Sequence, residues 1–122
     1  MIRVYLADPL PQERLALRLI LLDLNMESAG EAENWSTMLA QVPLQSIDIL
    51  VVDWGLLPRA SDLPLAVLRQ ACPTALVIVL INGVAVRRHA AISAGADGLI
   101  SRGELPERVT EHLQIAAAQI MP

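Results

Sequence analysis

With 122 residues, an apolar fraction of 54% and a formal charge of -4 from only 18% charged residues, the chain can build the core of one domain over 1–122. It has no basic field to hold a nucleic-acid backbone, so direct nucleic-acid binding is not expected. The single cysteine, Cys72, excludes an internal disulfide and any multi-cysteine metal site.

Ile2 to Leu6 is a short apolar run ending at Ala7-Asp8-Pro9, where proline stops a central strand. Gln12 to Leu24 carries leucine or isoleucine on almost every side and leaves Glu13, Arg14, Arg18 and Asp23 for solvent, which predicts a largely buried helix. Met26 to Ala32 predicts a second strand, and Asn34 caps a helix through Trp35, Met38, Leu39 and Val42 that Pro43 ends. Ile47 to Val52 is nearly unbroken hydrophobe, as a central strand covered on both faces requires, and Asp53 stands at its C-terminal end.

A loop with Gly55, Pro58 and Pro64 leads to a third helix from about Leu65 to Ala71. Leu76 to Ile81 predicts a second fully buried strand, ended by Asn82-Gly83. Val84 to Ala94 reads as a fourth helix, Gly95 to Gly98 as a turn, and Leu99 to Ser101 as a fifth strand. Leu105 to Ile120 is an amphipathic last helix with Pro106 in its first turn, and 116–122 could open a linker. No segment approaches the roughly 18 apolar residues of a spanning helix, and the N-terminus lacks a signal-peptide pattern. A cytoplasmic protein without membrane contact is expected.

Strands alternating with helices imply an α/β doubly wound, five-stranded parallel sheet of flavodoxin-like order 2-1-3-4-5, with helices on both faces. Ligand chemistry in such sheets gathers beyond the strand C-termini. Those ends carry Asp8, Asp53, Ile81-Asn82 and Arg102. Two carboxylates and a cation there suit a phosphoryl group: one carboxylate accepts it as an acyl phosphate, a metal offsets its charge, and the cation grips an oxygen.

Leu6-Ala7-Asp8 with Pro11, Arg14 and Leu17, then Asp53, then Ala94-Gly95-Ala96-Asp97-Gly98 make the chain resemble the receiver domain of two-component response regulators. The branch it resembles usually precedes a helix-turn-helix output domain. The resemblance implies that Asp53 is the phospho-acceptor, that Asp8 is one of the paired acids that bind Mg2+ together with Asp53, and that Arg102 is the phosphate-binding cation. It also implies a histidine kinase or other signalling protein as partner, an output domain or partner docked on helix four, strand five and helix five, and a homodimer as one assembly.

The chain departs from that pattern at named positions. The second metal-binding acid falls on Pro9; a shifted alignment makes Asp8 the second acid and Ala7 the first, so one acid is missing either way. The strand-four hydroxyl falls on Leu80 or Ile81, the switch aromatic on Leu99, and the lysine on Arg102, whose planar fork is no equivalent at a tight contact. An atypical receiver with weak or lost Mg2+ binding, weak or no phosphorylation and no enzymatic activity is therefore expected. The alternative is a conventional receiver phosphorylated on Asp53 to control transcription. Asp53 could instead merely cap a loop, and Arg102 could be a solvated arginine, but an ion pair of Arg102 with Asp53 or Asp8 is the sharper expectation. Trp54 reads as packing, and His89 and His112, with no second ligand at metal-binding spacing in the sequence, as surface residues.

Overall fold

The computed structural model describes residues 1–58, 64–81, 90–92, 94–103 and 105–120. Its strands are β1 (Arg3–Ala7), β2 (Glu27–Ala32), β3 (Ile49–Asp53), β4 (Leu76–Ile81) and β5 (Gly98–Ser101). They form one parallel sheet in the order β2-β1-β3-β4-β5, as the alternation of strand and helix patterns predicts. Helices α1 (Pro11–Asp23), α2 (Trp35–Gln41) and α3 (Pro64–Ala71) and the C-terminal helix (Pro106–Ile120) follow β1, β2, β3 and β5. Residues 90–92 are helical and Ala94, predicted as the last residue of the fourth helix, stands in the turn before β5; residues 84–89, with His89, and 93 lie outside the described residues, as does Asn82-Gly83.

Local chemistry sets these boundaries. Asn34 lies in extended backbone and its side chain accepts from the Thr37 N–H at 2.8 Å, satisfying a donor that the first turn of α2 leaves open. Pro43 does not end the chain's coiling at once, because Val42–Leu44 tighten into a 3-10 turn. Residues 116–120, read as the opening of a linker, are the last turn of the C-terminal helix, and Ala116 is buried in the core.

The period of two along each strand divides the interior in two. Tyr5 and Ala7, Leu50 and Val52, and Val77, Val79 and Ile81 face α2 and α3, where Met38, Val42, Leu65 and Leu68 meet them. Val4 and Leu6, Ile49 and Val51, Ile78 and Leu80, and Ile100 face α1 and the C-terminal helix, where Leu17, Leu21, Val109 and Leu113 meet them. Each fully buried aliphatic side chain stabilises this packing by about 1.5–3 kcal/mol. A polar residue at Val51, fully enclosed by that second layer, would break it.

The outer side of α1 departs from the sequence expectation. Leu17 and Leu21 are buried, but Leu15, Leu19 and Leu22 are 48%, 56% and 70% exposed, whereas Glu13 and Arg14 are half-buried. A helix lying on a sheet has one contact face; at 3.6 residues per turn, 15, 19 and 22 point away from 17 and 21 and find nothing to cover them.

Candidate functional site

The same alternation that sorts the core assembles the site. Asp8 continues the line of Val4 and Leu6, Asp53 that of Ile49 and Val51, and Arg102 that of Ile100, so all three share the α1 face at the C-terminal ends of β1, β3 and β5. Backbone bonds extend the ladder to hold them there: Asp8 N–H donates to the Ala32 carbonyl at 3.0 Å and Arg102 N–H to the Ile81 carbonyl at 2.7 Å. Gly103, at φ 84, then turns the chain away in a left-handed conformation that glycine adopts without strain.

Both acids are buried, Asp8 completely and Asp53 to 8% exposure. Arg102 Nη2 lies 2.9 Å from Asp53 Oδ2 and 3.3 Å from both carboxylate oxygens of Asp8, so one nitrogen serves two carboxylates. The Leu10 N–H donates to Asp8 Oδ1 at 2.8 Å, and the Gly55 N–H to Asp53 Oδ1 at 3.3 Å. Asp53 thus caps the 3-10 turn Trp54–Leu56 as well as facing the arginine, which joins the cap reading to the ion-pair reading. Arg14 donates to the Asp8 carbonyl and pairs with Glu31 at 3.1 Å, tying α1, β2 and the loop after β1 together.

Sequence reasoning missed Glu13. Its carboxylate pairs with the buried Nη1 of Arg102, outside hydrogen-bond alignment, so three acids surround one guanidinium. The one signal is spacing: Glu13, Leu17 and Leu21 recur every four residues, which places the glutamate at the head of that line once the line is known to face the sheet. Trp54 is half-buried and packs against the α2 and α3 layer, as expected of a tryptophan after a buried strand. His112, expected at the surface, is half-buried, because it stands one turn from the buried Val109 and Ala116 on the C-terminal helix.

The receiver pattern implies a hard divalent metal bridging such acids, and the donors here do not fit one. Pro9, exposed, stands where the second acid would supply an oxygen, and Arg102 Nη2 occupies the position between Asp8 and Asp53 that a bridging cation needs. Among the described residues no three acid, histidine or cysteine side chains are placed to share an ion. Leu80, opposite Asp53 in the β3–β4 register, and Ile81 are both buried and carry no hydroxyl. Leu99, in the switch-aromatic position, packs half-buried against the α2 and α3 layer.

No family model and no curated protein matches the chain. Solved structures do. The isolated REC domain of RcsB from Salmonella enterica serovar Typhimurium, in the presence of phosphomimetic BeF3-, superposes with a TM-score of 0.84 at 19% identity, over 98% of this chain and 89% of that one. The Salmonella typhimurium RcsB response regulator superposes with 0.84 at 18% identity, over 98% of this chain and 60% of that one. RcsB bound to promoter rprA gives 0.83 at 18% identity, over 93% and 67%. At these identities the likeness is one of fold, and this chain has the fold of a response-regulator receiver domain.

Proposed function

We propose that the chain is an atypical receiver module that works by protein–protein interaction, with weak or no phosphorylation of Asp53 and weak or no Mg2+ binding. The observation that carries this reading is the single Arg102 nitrogen shared by Asp8 and Asp53. A guanidinium fixed between the two acids already supplies the cation, and it holds the acceptor oxygen in a charge-assisted contact that a phosphoryl donor has to displace. Leu80 and Ile81 offer a transferred phosphoryl group no hydroxyl to draw toward it, so the two states of the module would differ by few contacts. A ligand without differential contacts shifts no equilibrium.

The partner, a signalling protein or an output domain, docks on the face of the fourth predicted helix, β5 and the C-terminal helix. The exposed Ile92 and Ile115 on that side support this assignment. A histidine kinase remains the partner under the second reading, a conventional receiver controlling transcription, which the intact and buried Asp53 favours. The net charge argues that contact with nucleic acid, if any, belongs to an output domain. No described helix is long and apolar enough to cross a membrane. The test is incubation with Mg2+ and a small-molecule phosphodonor, read by intact mass. The atypical reading expects no adduct; stoichiometric phosphorylation lost in Asp53→Asn establishes the conventional one.

A further inference from the structure

The outer face of α1 carries a line of Gln12, Leu15, Leu19 and Leu22 spaced three, four and three residues apart. That is the spacing of a two-stranded helical seam. All four side chains are exposed, and the leucines point directly away from the sheet that holds Leu17 and Leu21. Exposed leucines scattered over a surface mean little, but three in one stripe, on the side of the helix opposite its buried line, mark a contact face.

We propose that α1 pairs in parallel with α1 of a second copy of this chain, around a two-fold axis running along the helices. The flanking charges select this occupant and this direction. Arg18 lies on one side of the leucine line and Asp23 on the other, five residues further on, both exposed. A two-fold axis along the helices sets each flank against the opposite flank of the partner, so Arg18 meets the partner's Asp23, and by symmetry this happens twice. An antiparallel pair would instead set each flank against itself, Arg18 toward Arg18. Arg18 also reaches Glu31 at 2.8 Å, which holds the guanidinium at the edge of the seam. None of these side chains belongs to the Arg102 cluster, so the interface is independent of whether Asp53 accepts phosphate.

Three leucines per copy are well short of the roughly 800 Å² per partner that a standard stable interface buries, so the expected dimer is weak. Analytical ultracentrifugation of the chain from about 5 µM to about 1 mM should show a monomer–dimer equilibrium. Leu19→Glu, at an exposed position outside the core, should retain the wild-type circular dichroism and weaken pairing on the order of 100-fold or more. Arg18→Asp and Asp23→Arg should each weaken it about three- to tenfold, and the double swap should restore it. A chain that stays monomeric over that range overturns the proposal. So does a dimer indifferent to Leu19→Glu, or one whose charge swaps show no rescue, since the copies then meet by another face or in the other direction.

Discussion

Removing the guanidinium of Arg102 by Arg102→Ala leaves Asp8, completely buried, facing Asp53 across the end of the sheet. Each acid keeps a backbone donor, the Leu10 and Gly55 amides, but the opposing charge is gone. Breaking a buried pair by deleting one partner costs about 3–5 kcal/mol. Destabilisation should therefore be about 3–5 kcal/mol at pH 7. The contact with Glu13, which is partly exposed, adds little. Denaturant unfolding at pH 7 measures this, with Arg102→Met as the variant that keeps the aliphatic packing and lacks the charge. A loss below about 1 kcal/mol, the size of a surface ion pair, or an Arg102→Met protein as stable as wild type, would refute the reasoning.

Three other consequences are open to direct measurement. A Cβ at Gly30 would stand 2.9 Å from Cε2 of the fully buried Tyr5 ring, so Gly30→Ala should cost about 1–3 kcal/mol in denaturant unfolding, and an unchanged midpoint would mean the ring can yield. Burial, and then the negative charge of Glu31, push the Tyr5 phenol above its usual 10.0, while its hydroxyl donates to Gln41 Oε1 at 2.5 Å. As this is the only tyrosine, ultraviolet titration should show ionisation above pH 10; the stability tied to its protonated form is present below pH 10 and is lost as pH rises through the folded value. A titration at the ordinary value would contradict that environment. Asp53→Asn should leave the regulatory output nearly unchanged, and a large loss of regulation would restore the conventional reading of the site.

Much of the fold is legible in the chain because its signals agree across levels. The apolar runs at Ile47–Val52 and Leu76–Ile81 are short and rich in β-branched residues, which marks them as strands buried on both faces, and strands alternating with helices leave little freedom in sheet order. The convergence of Asp8, Asp53 and Arg102 is legible for the same reason: residue parity along three parallel strands sends them to one face at one end. What is not legible is which side of α1 meets the sheet, because leucines at 15, 19 and 22 are as apolar as those at 17 and 21. Only the position of the helix on the sheet separates them. Glu13 is lost by the same ambiguity, since its inward direction follows from that of Leu17. Pro43 misleads in a smaller way: it ends α2, yet its fixed φ suits the 3-10 turn that follows.

The proposed role of Arg102 is to hold the place of the metal and keep the acceptor site in one state. Trp54, directly after Asp53 and half-buried, is the reporter beside the site, with Trp35 as a constant background. Mg2+ titrated with beryllofluoride should leave the tryptophan fluorescence of the wild-type chain unchanged, and calorimetry of Mg2+ alone should show no sub-millimolar binding. A saturable fluorescence change that requires both Mg2+ and beryllofluoride and disappears in Asp53→Asn would contradict the account, because it would show a metal and a phosphoryl mimic displacing the guanidinium from between the two acids.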